Sequence, residues 1–335
     1  MSSTPTIEAK EPPLNLADLY APIASGLVEA ERIFQLELGS HFPFVQQLVD
    51  HCADFHGKRL RPALVLLTSK ACGGINASHP VLAAVVEMIH TATLVHDDIL
   101  DEAVVRRHAA TVNAEWGNET AVLLGDYLFT HAFHLAASLE STLACRWIGH
   151  ATNLVCEGEM QQVHHRGNLD LDEAAYFTII EGKTAELTAV SCRLGAHYAG
   201  AKSEVVEAME QYGRSLGIAF QIADDVLDIW GEERTTGKSL GTDLEKKKMT
   251  LPIIRMLGTA NRETASKIRG ILDDGDPALR RQLRPYLEQS GALEYSWQRA
   301  RQYVEQALRS LDMLAPSETR EVLRVMAQYV MRRVS

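Results

Sequence analysis

Apolar residues recur at the 3.6-residue spacing of an α-helix through nearly the whole chain, and nothing else constrains the fold as strongly. Val81, Leu82, Val85, Val86, Ile89 and Ala92 fall on i, i+3, i+4, i+7 positions, the pattern of a buried helical face. Comparable stripes run through 121–140, 144–163, 173–199, 203–229, 249–258, 264–273, 290–312 and 317–333. Strand-like alternation bounded by turn residues is scarce, and Asp274-Gly275 is the lone hairpin-type dipeptide. The expected class is all-α. Helix breaks are expected at Gly73-Gly74, around Trp116-Gly117-Asn118, at 166–170, at 231–242 and around Pro316. None resembles an interdomain linker. Residues 1–14, with Pro5, Pro12 and Pro13, read as a flexible lead-in to a single helical domain over 15–335.

Charge narrows the function. The chain carries 44 acidic and 33 basic residues, a formal charge of −11, and such a surface repels nucleic acid. Cys52, Cys72, Cys145, Cys156 and Cys192 show neither metal-site nor disulfide spacing, which fits a reducing compartment. The first residues lack an apolar signal core, and no run of about 18 apolar residues is present, so no stable membrane insertion is expected. The expected location is the cytoplasm.

Two segments carry D-D-x-x-D: Asp97-Asp98-x-x-Asp101 and Asp224-Asp225-x-x-Asp228. Residues four apart share a helical face, so Asp97 stands beside Asp101 and Asp224 beside Asp228. Like charges so placed destabilise a bare helix by roughly 0.2–0.5 kcal/mol. Apolar surroundings add a desolvation penalty. A single such motif is commonly a solvated helical face. Two copies on apolar helices, 127 positions apart, call for a cation instead. Hard Mg²⁺ suits them, held by one or two carboxylates with waters and substrate phosphates completing the octahedron.

Basic residues supply the complement. Gly57-Lys58-Arg59-Leu60-Arg61-Pro62 sets cations after a glycine whose N–H can approach an anion, although Pro62 also suits the first turn of a helix. Arg106-Arg107, Lys183-Thr184, Lys238 and Lys246-Lys247-Lys248 are further candidates. Acidic metal-binding walls with a cationic rim suit a diphosphate. Walker A and G-x-G-x-x-G signatures are absent, so a nucleotide is not the expected carrier. Ser-His-Asp and Cys-His groupings at motif spacing are absent too.

Taken in order, these motifs resemble the trans-isoprenyl diphosphate synthase (polyprenyl synthetase) family. The matching segments are GKRLRP at 57–62, HTATLVHDDILDEAVVRR at 90–107, GDYLFTHAF at 125–133, EGEMQQ at 157–162, KTAEL at 183–187, GIAFQIADDVLD at 217–228 and GKSLGTDLEKKKMTLP at 237–252. The likeness spans about 20–335 and is greatest to medium- and long-chain members such as octaprenyl diphosphate synthases. It implies an isoprenoid-synthase bundle around a central cavity, commonly a homodimer. Its substrates would be isopentenyl diphosphate and an allylic diphosphate, with three Mg²⁺ (Mn²⁺ being the alternative) drawing off pyrophosphate.

By motif position, the resemblance makes Asp97, Asp101 and Asp224 metal ligands, with Asp98, Asp225 and Asp228 supporting or water-mediated. Gly57, Lys58, Arg61, His90 and Arg107 would hold isopentenyl diphosphate. Arg106, Lys183, Lys238 and Lys248 would hold the allylic diphosphate, and Thr184 and Gln221 would set oxygen dipoles beside the developing cation. One departure stands out: Lys247 occupies the position where the family commonly has glycine, which puts the local turn and the aim of Lys248 in question.

Helix geometry bears on product length. One turn advances about 5.4 Å, close to one extended isoprene unit. Ala92 and Thr93, then Ile89 and Val86, recede from Asp97 without an aromatic stop, so a deep tunnel is expected, and the likeness of HTATLVHDD to medium- and long-chain members that make quinone side chains implies products of about seven to ten units. Phe129, Phe133, Tyr127 or Tyr176 could floor it earlier, giving a C15–C20 synthase. A non-catalytic partner subunit is a further alternative, although its Asp clusters should be eroded. A terpene cyclase would have no use for GKRLRP, and a squalene-type enzyme would need NADPH-linked motifs that are absent.

Overall fold

The computed structural model describes residues 16–53, 57–106, 109–231, 240–274 and 278–332. The 1–14 lead-in, Arg107 and Lys238 lie outside them. Helix α5 (Ser78–Leu100) is apolar nearly all round and must be enclosed. Leu82, Val85, Val86, Met88, Ile89 and Ala92 accordingly have no exposed surface. The enclosing helices are α2 (Ala24–Leu38), α4 (Leu60–Cys72), α6 (Val112–Ala137) and α9 (Glu186–Tyr198). Among the described residues α5 alone is long and apolar enough to cross a bilayer, yet 72% of its apolar window is buried, as in a core helix.

Helix α10 (Ser203–Trp230) joins two cores. Met209, Tyr212 and Leu216 belong to the core around α5, and Tyr212 donates to the Leu323 carbonyl of α16 (Glu318–Arg332) at 2.7 Å. Ile222 and Ile229, farther along, join a second core with α8 (Glu173–Ile180), α12 (Leu251–Thr259), α13 (Arg262–Asp274), α14 (Leu279–Ser290) and α15 (Ala292–Ser310). The remaining helices are α1 (Leu16–Tyr20), α3 (Pro43–Ala53), α7 (Leu143–His164) and the short α11 (Thr242–Glu245). The protein is all-α, with the isoprenoid-synthase fold.

Expected stripes at 144–163, 203–229, 264–273 and 317–333 match α7, α10, α13 and α16 within two residues. The break expected near Gly117 is a kink instead: Gly117 takes φ 85°, ψ 163° while α6 continues. Two features went unread in the sequence. A two-residue antiparallel ladder pairs Val105–Arg106 with Ala109–Ala110, and the 173–199 stripe is interrupted by one π-helical turn at Glu181–Ala185. That turn meets α7 backbone to backbone. A Cβ on Gly158 would lie 2.5 Å from the Lys183 nitrogen, and one on Gly182 2.8 Å from the Leu154 carbonyl oxygen.

Candidate active site

Both acidic clusters sit at helix C-termini: Asp101 caps α5, and Asp224–Asp228 occupy the last two turns of α10. The helix dipole places about half a negative charge at such an end, so the carboxylates meet a field of their own sign. Cations answer it. Because of the glycine contact, the π turn delivers Lys183 to Glu159 of α7, and its ammonium stands 3.7 Å from Asp97 Oδ2. Burial pushes the Asp97 carboxyl up to about 6 against the opposing pull of Lys183. Burial would lower Lys183, but Asp97 and Glu159 outweigh it and raise its pKa.

Asp101 is treated differently. Lys248 and Lys246 approach its Oδ2 at 3.1 and 3.2 Å, and Arg166 stands 3.6 Å from Oδ1. Burial alone would raise Asp101, and the two lysines overcome it and hold the carboxyl below its ordinary range. Lys248 also lies 3.9 Å from Asp243 Oδ1, so one ammonium spans the two walls. Lys247 makes this reach possible despite the missing glycine: it adopts φ 52°, its carbonyl accepts from Gly167 N at 2.8 Å, and Lys248 N donates to the Asp243 carbonyl at 2.8 Å. The glycine-type turn persists at a cost of about 1–2 kcal/mol.

The second wall is partly internal. Asp228 accepts from Thr242 Oγ1 and Asp243 N, both at 3.1 Å, and so anchors α11. Burial, then the charge of Asp228, pushes Asp243 up to about 6. Asp225, 4% exposed, accepts from Tyr176 Oη at 2.6 Å and Gln221 Nε2 at 2.7 Å. Burial pushes its carboxyl well above the ordinary range, and Asp243 adds to the effect. Thr184 Oγ1 donates to Gln221 Oε1 at 2.9 Å. A cavity of about 140 Å³ brings His165, Lys183, Thr184, Gln221, Asp243 and Lys248 together.

Other expected residues have different company. Arg106 grips Asp98, with Nε 2.8 and 2.9 Å from its two oxygens and Nη2 2.7 Å from Oδ1, so this guanidinium is engaged by a carboxylate that is only 2% exposed. In GKRLRP, Arg59 takes φ 47° ahead of α4 and pairs with Glu31 at 2.7 Å and Glu87 at 2.9 Å. Glu87 and His90 lie three residues apart on α5 and so share a face. Ala92, Ile89 and Val86 are fully buried, Thr93 is half-buried and donates to the His90 carbonyl, and none of the four lines the cavity. Tyr127 donates to the Leu38 carbonyl, toward α2, and Tyr176 donates to Asp225 and lines the cavity.

Lys246, already a candidate cation, enters the site, and Glu159, His165, Arg166 and Asp243 join it without having been singled out in the sequence. Asp243 and Lys246 lay in the quoted DLEKKK run, and Arg166 stood in a segment read only as a break. Among the described residues no three His, Cys, Asp or Glu side chains converge closely enough to cage a metal. The donor set still fits a divalent ion recruited with its substrate: Mg²⁺ takes one or two carboxylates and completes its shell with phosphate oxygens. Asp101 Oδ1, buried without a hydrogen-bond partner, is one available ligand atom.

Carboxylates on two helix ends, lysines between them and a small cavity with both polar and apolar lining form one site in this helical fold. The sequence model of polyprenyl synthetases matches residues 42–288, and the chain belongs to that family of prenyltransferases. The all-trans-nonaprenyl-diphosphate synthase (geranyl-diphosphate specific) of Rhodobacter capsulatus is 37% identical over 307 residues, 91% of this chain and 94% of its own. The octaprenyl diphosphate synthase of Escherichia coli is 34% identical over 323 residues, 96% and 99% of the two chains. A short-chain isoprenyl diphosphate synthase of Methanothermobacter thermautotrophicus is 35% identical over 290 residues, 85% and 89%. The polyprenyl synthase of Caulobacter crescentus, solved with calcium and isoprenyl diphosphate, superposes with a TM-score of 0.90 at 33% identity, covering 96% and 98%. Members of the family generally depend on a divalent metal.

Proposed function

We propose that this chain condenses isopentenyl diphosphate head-to-tail onto an allylic diphosphate, with Mg²⁺, making trans-polyprenyl diphosphates of about seven to ten units for quinone side chains. The observation that carries the reading is Lys248, within 3.1 Å of Asp101 and 3.9 Å of Asp243, because one ammonium there meets a carboxylate from each acidic wall. Divalent ions bound there would neutralise the diphosphate and make it a competent leaving group. Lys183 and Lys248, both lining the cavity, hold its remaining charge, and Thr184 and Gln221 present oxygen to the carbon that becomes cationic as the C–O bond breaks. The π electrons of isopentenyl diphosphate then form the new C–C bond, and loss of a proton restores the double bond. Asp97, Asp101 and Asp224 are the expected metal ligands.

Residues 15–335 read as one catalytic domain, since Trp297, Tyr303 and Met331 pack against both cores. A homodimer is supported by exposed Leu123 on α6 and exposed Phe42 and Phe44 at the start of α3, which packs on α6. A cytoplasmic site of action accords with the free cysteines. The test is mass analysis of products from isopentenyl diphosphate with geranyl and farnesyl primers. Chains of C35–C50 are expected. Arrest at C20 or below would replace the long-chain reading with a short-chain one, and absence of any prenyl product would end the proposal.

A further inference from the structure

Tyr176 and Asp225 form a clamp that has no counterpart in the chemistry just described. Both are almost fully buried, at 3% and 4% exposure. Tyr176 Oη donates to Asp225 Oδ2 at 2.6 Å, and Gln221 Nε2 donates to Oδ1 at 2.7 Å, so each carboxyl oxygen already has a protein donor. The oxygen that receives Gln221 can only accept from an amide N–H, which turns the Gln221 nitrogen toward Asp225 and its Oε1 toward Thr184. The Thr184 hydroxyl hydrogen is thereby committed to Gln221 at 2.9 Å. Its lone pairs remain for the cavity, which Thr184, Gln221, Tyr176 and Asp225 all line.

We infer that Asp225 is a positioning residue rather than a metal ligand, and that Tyr176, by holding Asp225, fixes the Gln221 amide and the Thr184 hydroxyl with their oxygens toward the ionising carbon. The inference rests on the proposed reaction. Without Tyr176 the carboxyl can rotate, the Gln221 amide can flip, and an N–H or O–H dipole then faces developing positive charge. Preorganised dipoles act on the transition state more than on the bound substrate, so kcat should suffer and KM should not.

The test uses full-length protein as wild type, Tyr176→Phe, Gln221→Ala and the double variant. Tyr176→Phe should lower kcat about tenfold, as expected for one charge-assisted hydrogen bond, with both KM values within about twofold. Adding it to Gln221→Ala should cost nothing further, because the two act through one dipole. Thermal stabilisation by Mg²⁺ with inorganic pyrophosphate, which needs no turnover, should keep its half-saturating Mg²⁺ concentration in Tyr176→Phe. Should that variant not fold, Asp225→Asn probes the same clamp, with lowered kcat and unchanged Mg²⁺ half-saturation expected. Additive losses, an unchanged kcat, or a Mg²⁺ requirement raised about tenfold would each overturn the inference. A wild-type chain that makes no polyprenyl product overturns the underlying reaction instead, and the two failures are distinct.

Discussion

Asp97→Asn should make the metal-free protein more stable while removing its response to Mg²⁺ and pyrophosphate. The carboxyl rises from its ordinary 3.8 to about 6 on folding. A raised carboxyl binds its proton more tightly in the folded state, so stability falls as pH climbs from about 4 to 6, and the whole penalty is present above that window. At about 1.4 kcal/mol per pH unit the penalty is about 3 kcal/mol at pH 7.5 and about 1.5 kcal/mol at pH 5. The side chain is 23% exposed. Salt screening at such an opening brings the expected gain to about 1–3 kcal/mol at neutral pH. Lys183 is not stranded by the change because Glu159 remains its nearer partner. Urea unfolding in chelator at pH 7.5 and pH 5 reads the effect, with the larger gain at pH 7.5. A destabilised variant, or equal gains at both pH values, would refute the argument that this acidic wall is strained until a cation arrives.

Arg106→Gln should cost about 3–5 kcal/mol by leaving the buried Asp98 carboxylate without its guanidinium, and urea midpoints would register it. An effect on KM alone would return Arg106 to substrate binding. Lys247→Gly should stabilise the protein by about 1 kcal/mol, since glycine takes the left-handed turn without strain; a thermal melt checks the sign. Ala92→Phe separates channel from core. If α5 lines the product channel, the ring shortens the products and leaves the urea midpoint unchanged. If Ala92 is ordinary core, overpacking costs about 1–3 kcal/mol and the products keep their length.

Helix existence was legible because a 3.6-residue apolar period has one physical solution, and α7, α10, α13 and α16 follow it closely. The π turn was invisible in the same period. It is enforced by the Gly158–Gly182 approach, a contact between segments more than twenty residues apart. Helix α14 was not anticipated, since Arg280, Arg281, Gln282, Arg284 and Pro285 obscure its buried Leu279, Leu283 and Leu287.

The sequence by itself determined the helical class, the two carboxylate pairs sharing helical faces, and a supply of lysine and arginine large enough to answer them. These depend on local spacing and residue chemistry, which a chain carries wherever it folds. Only the tertiary structure decided which cation meets which carboxylate: Arg106 takes Asp98, Lys183 takes Glu159 beside Asp97, and Lys246 and Lys248 share Asp101. Charge pairing acts over a few ångströms, and residues separated by 147 positions, such as Asp101 and Lys248, come that close only once the helices have packed.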